Sequence, residues 1–141
     1  YYRKAMAAFA SDTVFLVISD DIEWCKKHFR GDNFFFVDDE PPLVDLYLQS
    51  LCVHNIISNS SFGWWGAWLN PNPQKRIICP TPWFAPSGKE KDTRDLCPMR
   101  WRKEPIAGTF ELYFRTYYSL AVISIKIALH RIVTNIKKSF S

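Results

Sequence analysis

Short apolar runs alternate with helix-spaced stripes through the first eighty residues. Residues 1–10 have helical spacing, and residues 13–18 form an unbroken β-branched and aromatic run, as in a strand covered on both faces. Ser19, Asp20 and Asp21 end that run. Asp20 and Glu23 have capping-box spacing, with aspartate in the usual Ser or Thr position, and predict a helix over 22–29 that Gly31 closes. A second strand is expected at 34–37, and Pro41 with Pro42 suits a helix entry.

The stretch 45–69, DLYLQSLCVHNIISNSSFGWWGAWL, carries the candidate chemistry. Leu46, Leu48, Leu51 and Cys52 are spaced for one packed helical side, 55–58 is a short β-branched run, and Asn59, Ser60 and Ser61 are N-cap types that open a further helix. A phosphate at such a helix start would meet unpaired backbone N–H groups, the positive end of the dipole and serine hydroxyls. Simple helix capping explains the same serines. With a strand at 76–79, four strands alternate with three helices, which predicts an α/β fold with a Rossmann-like parallel sheet. Ligands of such sheets bind at the carboxyl ends of the strands. The turns at Ser19–Asp21 and Asn59–Ser61 then share one edge.

Residues 80–105, rich in proline, tryptophan and charge, read as a long loop with room for one helical turn. Farther on, Val122, Ile125, Leu129, Ile132 and Ile136 fall at helical spacing, with Lys126, His130 and Lys137 opposite. The chain therefore divides into an α/β domain at 1–105 and a basic amphipathic carboxyl-terminal helix at 106–141. That helix either docks on its own protein or makes a peripheral contact with an anionic membrane surface.

Composition narrows the classes. With 141 residues, 48% hydrophobic and 16% aromatic, the chain can bury one ordinary core, and no apolar run approaches a membrane span. The opening YYRKAMAAFA reads like the interior of a helix, so a start inside a larger protein is expected. Net charge is +4 but uneven: residues 1–86 hold seven Lys or Arg against nine acids, and 87–141 hold eleven against five. The serine turn thus lies in the more acidic part, unlike the recognition elements of a nucleic-acid binder, and no nucleic-acid partner is expected. Cys25, Cys52, Cys79 and Cys97 form no C-x-x-C pair and have no histidine at finger spacing. Reduced, buried thiols in a cytosol-like setting are expected and a metal site is not. Asp38, Asp39 and Glu40 read as a solvated acidic run before prolines.

Several blocks in order resemble a known family: Ser19-Asp20-Asp21 with Glu23-Trp24-Cys25, Asp45-Leu46-Tyr47-Leu48, Asn55-Ile56-Ile57, and Asn59-Ser60-Ser61-Phe62-Gly63-Trp64-Trp65-Gly66-Ala67-Trp68-Leu69. They are similar to the alpha-1,2-fucosyltransferases, glycosyltransferase family 11, over about residues 11–86, with a weaker echo at 95–101. The resemblance implies the carboxyl-terminal, donor-binding half of a two-domain GT-B enzyme. Such an enzyme transfers fucose from GDP-fucose to the 2-hydroxyl of a galactose-containing glycan acceptor, with inversion and without a metal or other cofactor. In related enzymes the aspartate matching Asp45 bonds the guanine. The serines matching Ser60 and Ser61, with the amide matching Phe62, hold the β-phosphate. Ser19, Asp20, Asp21 and Asn59 would support the site.

The family's amino-terminal His-x-Arg-Arg-Gly-Asp block is absent from these residues, and Arg30-Gly31-Asp32 follows a helix instead of opening a site. The missing amino-terminal half is accordingly an expected partner. A truncated remnant that at most binds GDP is the alternative, and a carbohydrate-binding module using Trp64 and Trp68 is a second. His54 reads as structural, so no catalytic base is assigned. The implied location is cytoplasmic and peripheral at the membrane, the Golgi membrane in a eukaryote.

Overall fold

The computed structural model describes residues 1–84, 92–106 and 120–125. Its centre is the apolar run that begins at Val14. Strand β1 (Val14–Ser19) buries Phe15, Leu16, Val17 and Ile18 in succession, which requires cover on both faces of the sheet. Phe15 and Val17 pack with Ala5, Cys25 and Phe29, brought by α1 (Tyr2–Met6) and by α2 (Ile22–His28) with its C-cap. Leu16 and Ile18 face the other way, onto Leu48 and Cys52 from α3 (Pro42–Ser50) and the turn after it. On that second face, α4 (Ser61–Leu69) sets Ala67 in a cluster with Ile57, Ile77 and Cys79. Helices cover both faces, and the fold is α/β.

The remaining strands are β2 (Phe34–Phe36), β3 (His54–Ile56), β4 (Ile77–Thr81), β5 (Arg102–Pro105) and β6 (Leu120–Ile125). The sheet order is β2-β1-β6-β3-β4-β5. Strands β1 and β2, β3 and β4, and β4 and β5 pair in parallel; β6 runs antiparallel to both of its neighbours. The carboxyl ends of β1 and β3 therefore lie on the same edge, as the sequence predicts.

Three differences from the sequence reading have physical causes. Residues 102–105, expected in a loop, form the edge strand β5; Arg-Lys-Glu-Pro has no apolar alternation, but charge and a terminal proline are what an edge strand tolerates. Val122 and Ile125, expected on a helical stripe, lie in β6. The segment Leu-Ala-Val-Ile-Ser-Ile is β-branched enough to serve either period over six residues. The rest of the helix expected at 106–141 lies outside the described residues, apart from Ile106, whose N–H donates to the Thr81 carbonyl. Finally, the cap of α2 is Asp21, not Asp20: its carboxylate accepts from the Trp24 N–H at 3.0 Å.

A buried amide chain fixes α3, β3 and α4 to one another. Asn70, at the end of α4, donates to the Cys52 carbonyl (2.6 Å) and to Asn55 Oδ1 (2.8 Å); Asn55, on β3, donates to the Gln49 carbonyl of α3 (2.9 Å). Lys75 Nζ closes the carboxyl end of α4 on the carbonyls of Ala67, Trp68 and Asn70. The Gln49 side chain lies against the α4 backbone at Gly66, where an added Cβ would stand 2.6 Å from Gln49 Cβ. Both are fully or nearly fully buried. Gly66→Ala should therefore destabilise the fold by about 1–3 kcal/mol, the usual cost of overpacking. In urea unfolding the midpoint should drop with an unchanged m-value; an unchanged midpoint would show that α3 and α4 are not locked at this contact.

Candidate functional site

The start of α4 is built as a donor-rich helix end. Ser60 is the N-cap, with extended backbone angles (φ −120°, ψ 135°), and its hydroxyl accepts from the Phe62 N–H at 3.2 Å. The Ser60 carbonyl accepts from the Trp64 N–H at 3.0 Å, which closes the first turn. Ser61 and Asn59 are exposed, and the first turn carries no acidic side chain. This end follows β3 directly, at the carboxyl edge of the sheet. A first turn with open N–H groups, an exposed hydroxyl and no carboxylate favours an anion.

The second polar turn leaves β1 on the same edge. The Ser19 hydroxyl accepts from the Asp21 N–H at 3.0 Å, and Asp21 in turn caps α2, so both side chains are engaged in shaping this turn. Asp20 is exposed. With β6 between them, β1 and β3 lie two strand spacings apart, roughly 10 Å.

Asp45 sits in the first turn of α3, its N–H donating to the Pro41 carbonyl at 3.2 Å. Its Oδ1 is buried without a hydrogen-bond partner. Burial, with a smaller push from Glu40, raises its carboxyl pKa to about 6. Sequence reasoning selects Asp45 by resemblance and first-turn position; the unpartnered oxygen shows only in the structure. Helix α3 packs on α4, so the helix carrying Asp45 is fixed against the one that opens at Ser60.

Other candidates fall elsewhere. Trp64 is packed: its indole N–H donates to the Leu96 carbonyl at 2.7 Å, and its ring stacks on Trp68 at 5.0 Å. Trp65 and Trp68 each remain about half exposed. His54 Nδ1 accepts from the Arg76 N–H at 3.0 Å and its ring lies 5.2 Å from Phe9, so it is a structural histidine. Burial and then Arg76 hold its pKa below the ordinary value. Asp38 is paired with Lys26 at 2.7 Å. The four cysteines are free and buried. A cavity of about 440 Å³, lined by Arg3, Met6, Lys27, His28, Phe29, Arg30 and Phe34, lies near the amino end of β2, away from both turns. Among the described residues, no helix is long and apolar enough to cross a membrane.

Comparison with known proteins adds the decisive observation: the sequence model of Glycosyl transferase family 11 matches residues 1–101. The chain belongs to glycosyl transferase family 11. The match takes in α1, both polar turns, α4 and the stretch up to Trp101. Among family relatives, an alpha-1,2-colitosyltransferase of Escherichia coli is 44% identical over 96 residues, covering 64% of this chain and 32% of the relative. The O-antigen biosynthesis glycosyltransferase WbnK of Escherichia coli is 38% identical over 102 residues, covering 67% of this chain and 34% of the relative. Human galactoside alpha-(1,2)-fucosyltransferase 1 is 36% identical over 77 residues, covering 49% of this chain and 21% of the relative. The chain thus spans about a third of the length of its bacterial relatives. No solved structure matches it.

The raised pKa of Asp45 makes this family 11 chain pH-sensitive in a definite direction. Its folded pKa of about 6 lies above the ordinary 3.8, so the folded state binds this proton more tightly than the unfolded state. The stabilisation is complete below about pH 4 and is lost as pH rises through 6, because ionisation opposes folding. Asp45→Asn should raise the melting temperature relative to the parent at pH 7.5, with the gap closing towards pH 4. A pH-independent gap would contradict the buried, unpartnered carboxylate.

Proposed function

We propose that this chain is the Rossmann-like, donor-binding half of a GT-B alpha-1,2-fucosyltransferase that uses GDP-fucose. The observation that carries the reading is the start of α4: a Ser60-capped helix end, with exposed Ser61 and no first-turn acid, at the carboxyl edge of a family 11 sheet. The open amides there, the Ser60 and Ser61 hydroxyls and the Phe62 N–H, which exchanges its Ser60 acceptor for the ligand, hold the β-phosphate. They act most strongly when the sugar leaves and negative charge gathers on the departing diphosphate. Asp45 Oδ1, buried and unpartnered, accepts from the guanine ring and amino N–H groups; adenine offers no matching pair of donors. A guanine donor relieves the desolvation of that oxygen, so the group that opposes folding when empty favours the ligand.

The sugar is transferred by direct displacement with inversion, to the 2-hydroxyl of a galactoside. Acceptor contacts and the proton-accepting base come from outside these residues. The 141 residues also hold no His-x-Arg-Arg-Gly-Asp block. That favours, for this chain by itself, a second reading in which GDP binds without transfer.

Calorimetric titration with GDP, ADP and UDP tests the assignment. GDP should bind selectively, Asp45→Ala and Ser61→Ala should each weaken it about tenfold, and affinity should fall as pH drops through 6 and Asp45 protonates. Equal binding of all three nucleotides, or none by a chain shown to be folded, would contradict the reading.

A further inference from the structure

Four thiols are buried in this chain, and two of them meet. Cys25 and Cys52 lie in separate core clusters, each beside an oxygen: Cys25 by the Ser19 hydroxyl, and Cys52 donating its S–H to the Leu48 carbonyl at 3.0 Å. Cys79 and Cys97 instead share the third cluster, with Ile57, Ala67, Trp83 and Trp101. There Cys79 donates its S–H to the Cys97 sulfur. Cys79 is on β4, and Cys97 lies in the turns that lead into β5. The fold thus brings together two cysteines that are far apart in sequence.

Their surroundings give the two thiols different parts. Cys79 is wholly buried, whereas Cys97 keeps 7% of its surface in solvent. Lys103 is the register partner of Cys79 on β5, so its side chain leaves the sheet on the same face. The hydrogen bond from Cys79, with Lys103 behind it, outweighs burial and holds the Cys97 pKa below the ordinary thiol value. The same hydrogen bond, together with burial, pushes Cys79 up. Cys97 is therefore the nucleophile, and Cys79 the thiol that waits beside it. With so little of Cys97 open, a small peroxide reaches the sulfur and a bulky disulfide does not.

We propose that Cys79 and Cys97 are an oxidative modification site, where a small peroxide converts the thiol pair into a disulfide that staples the turns before β5 to the sheet. The Cys97 thiolate attacks one oxygen of hydrogen peroxide; the O–O bond breaks, hydroxide leaves to take up the proton that Cys97 shed, and Cys97 becomes a sulfenic acid. Cys79 then gives up its proton and attacks the Cys97 sulfur, forming the S–S bond as the S–O bond breaks and water leaves. Two thiols lose two electrons, and one peroxide is reduced to two waters. The bond holds a definite part of the fold. Cys97 follows Leu96, whose carbonyl accepts from the Trp64 indole N–H at 2.7 Å, and the Trp101 ring lies 5.6 Å from the same indole. Trp64 closes the first turn of α4 on Ser60, and β5 ends the sheet order, paired with β4. Oxidation thus fastens the edge strand and braces the start of α4 from behind.

The test treats the reduced 141-residue chain with a slight excess of hydrogen peroxide and maps its peptides without reductant. Cys79 and Cys97 should be recovered as one linked pair, with Cys25 and Cys52 still free thiols. Closing a loop of about 20 residues should raise the melting temperature by about 5 °C or more, and dithiothreitol should remove the gain. In Cys79→Ala, Cys97 should stop at the sulfenic acid, trapped by dimedone, and peroxide should no longer raise the melting temperature. In Cys97→Ala, Cys79 should remain a thiol. Oxidation of all four cysteines at equal rates, no link or a link between any other pair, or a linked chain with an unchanged melting temperature overturns the proposal. Should a variant fail to fold, the peptide map and melting shift of the parent chain decide. No nucleotide enters any readout, so a failure of GDP binding leaves this result standing, and the reverse holds too.

Discussion

The candidate site depends on the contact of α3 with α4 through Gln49 and Gly66, joined to β3 by the Asn70–Asn55 amide chain. Gly66 has no side chain, and the buried Gln49 fills the space a larger residue would need. The amides of Asn55 and Asn70 then use one another and the carbonyls of Gln49 and Cys52 as partners, which makes the junction polar, buried and geometrically specific. Two helix starts are held as a consequence. The first turn of α3 carries Asp45, and α4 opens at the Ser60 cap.

From those two starts the proposed chemistry follows without further machinery. A helix end with open amides and hydroxyls favours a diphosphate, and a carboxylate oxygen held out of water without a partner favours a ligand N–H. The features are independent, since one is a backbone effect of α4 and the other a burial effect on α3. The proposed donor site gives both the same purpose. The reversal of strand order at β6 lies between the two polar turns, which is where open α/β sheets bind their ligands.

Much of this was legible in the residues, for identifiable reasons. The run Val14–Ile18 is apolar at every position because both faces are covered, and the change of period between Leu51 and Asn59 marks the α3–β3–α4 succession. Strand β5 was hidden because an edge strand of Arg, Lys, Glu and Pro lacks the alternation that identifies a strand. Strand β6 was hidden because a six-residue run with five apolar residues, three of them β-branched, satisfies a helical stripe equally well. The cap at Asp21 differs from the expected Asp20 because two adjacent aspartates offer the same chemistry one residue apart. Asn55, Asn70 and Asn72 look like turn residues in sequence, and only three-dimensional contact shows the first two as core partners and the third as a brace on the Val53 carbonyl. The lone Oδ1 of Asp45 likewise depends on what surrounds it, which no spacing encodes.

The most direct test of the central claim, that the carboxyl edge of this sheet is the donor site, is an amide-resolved NMR titration of the chain with GDP. The account predicts the largest shifts at Ser60, Ser61, Phe62 and Gly63, with smaller ones around Asp45 and Ser19–Asp21. Shifts concentrated instead at Arg3, Lys27 and Arg30, around the basic cavity near the amino end of β2, would contradict it.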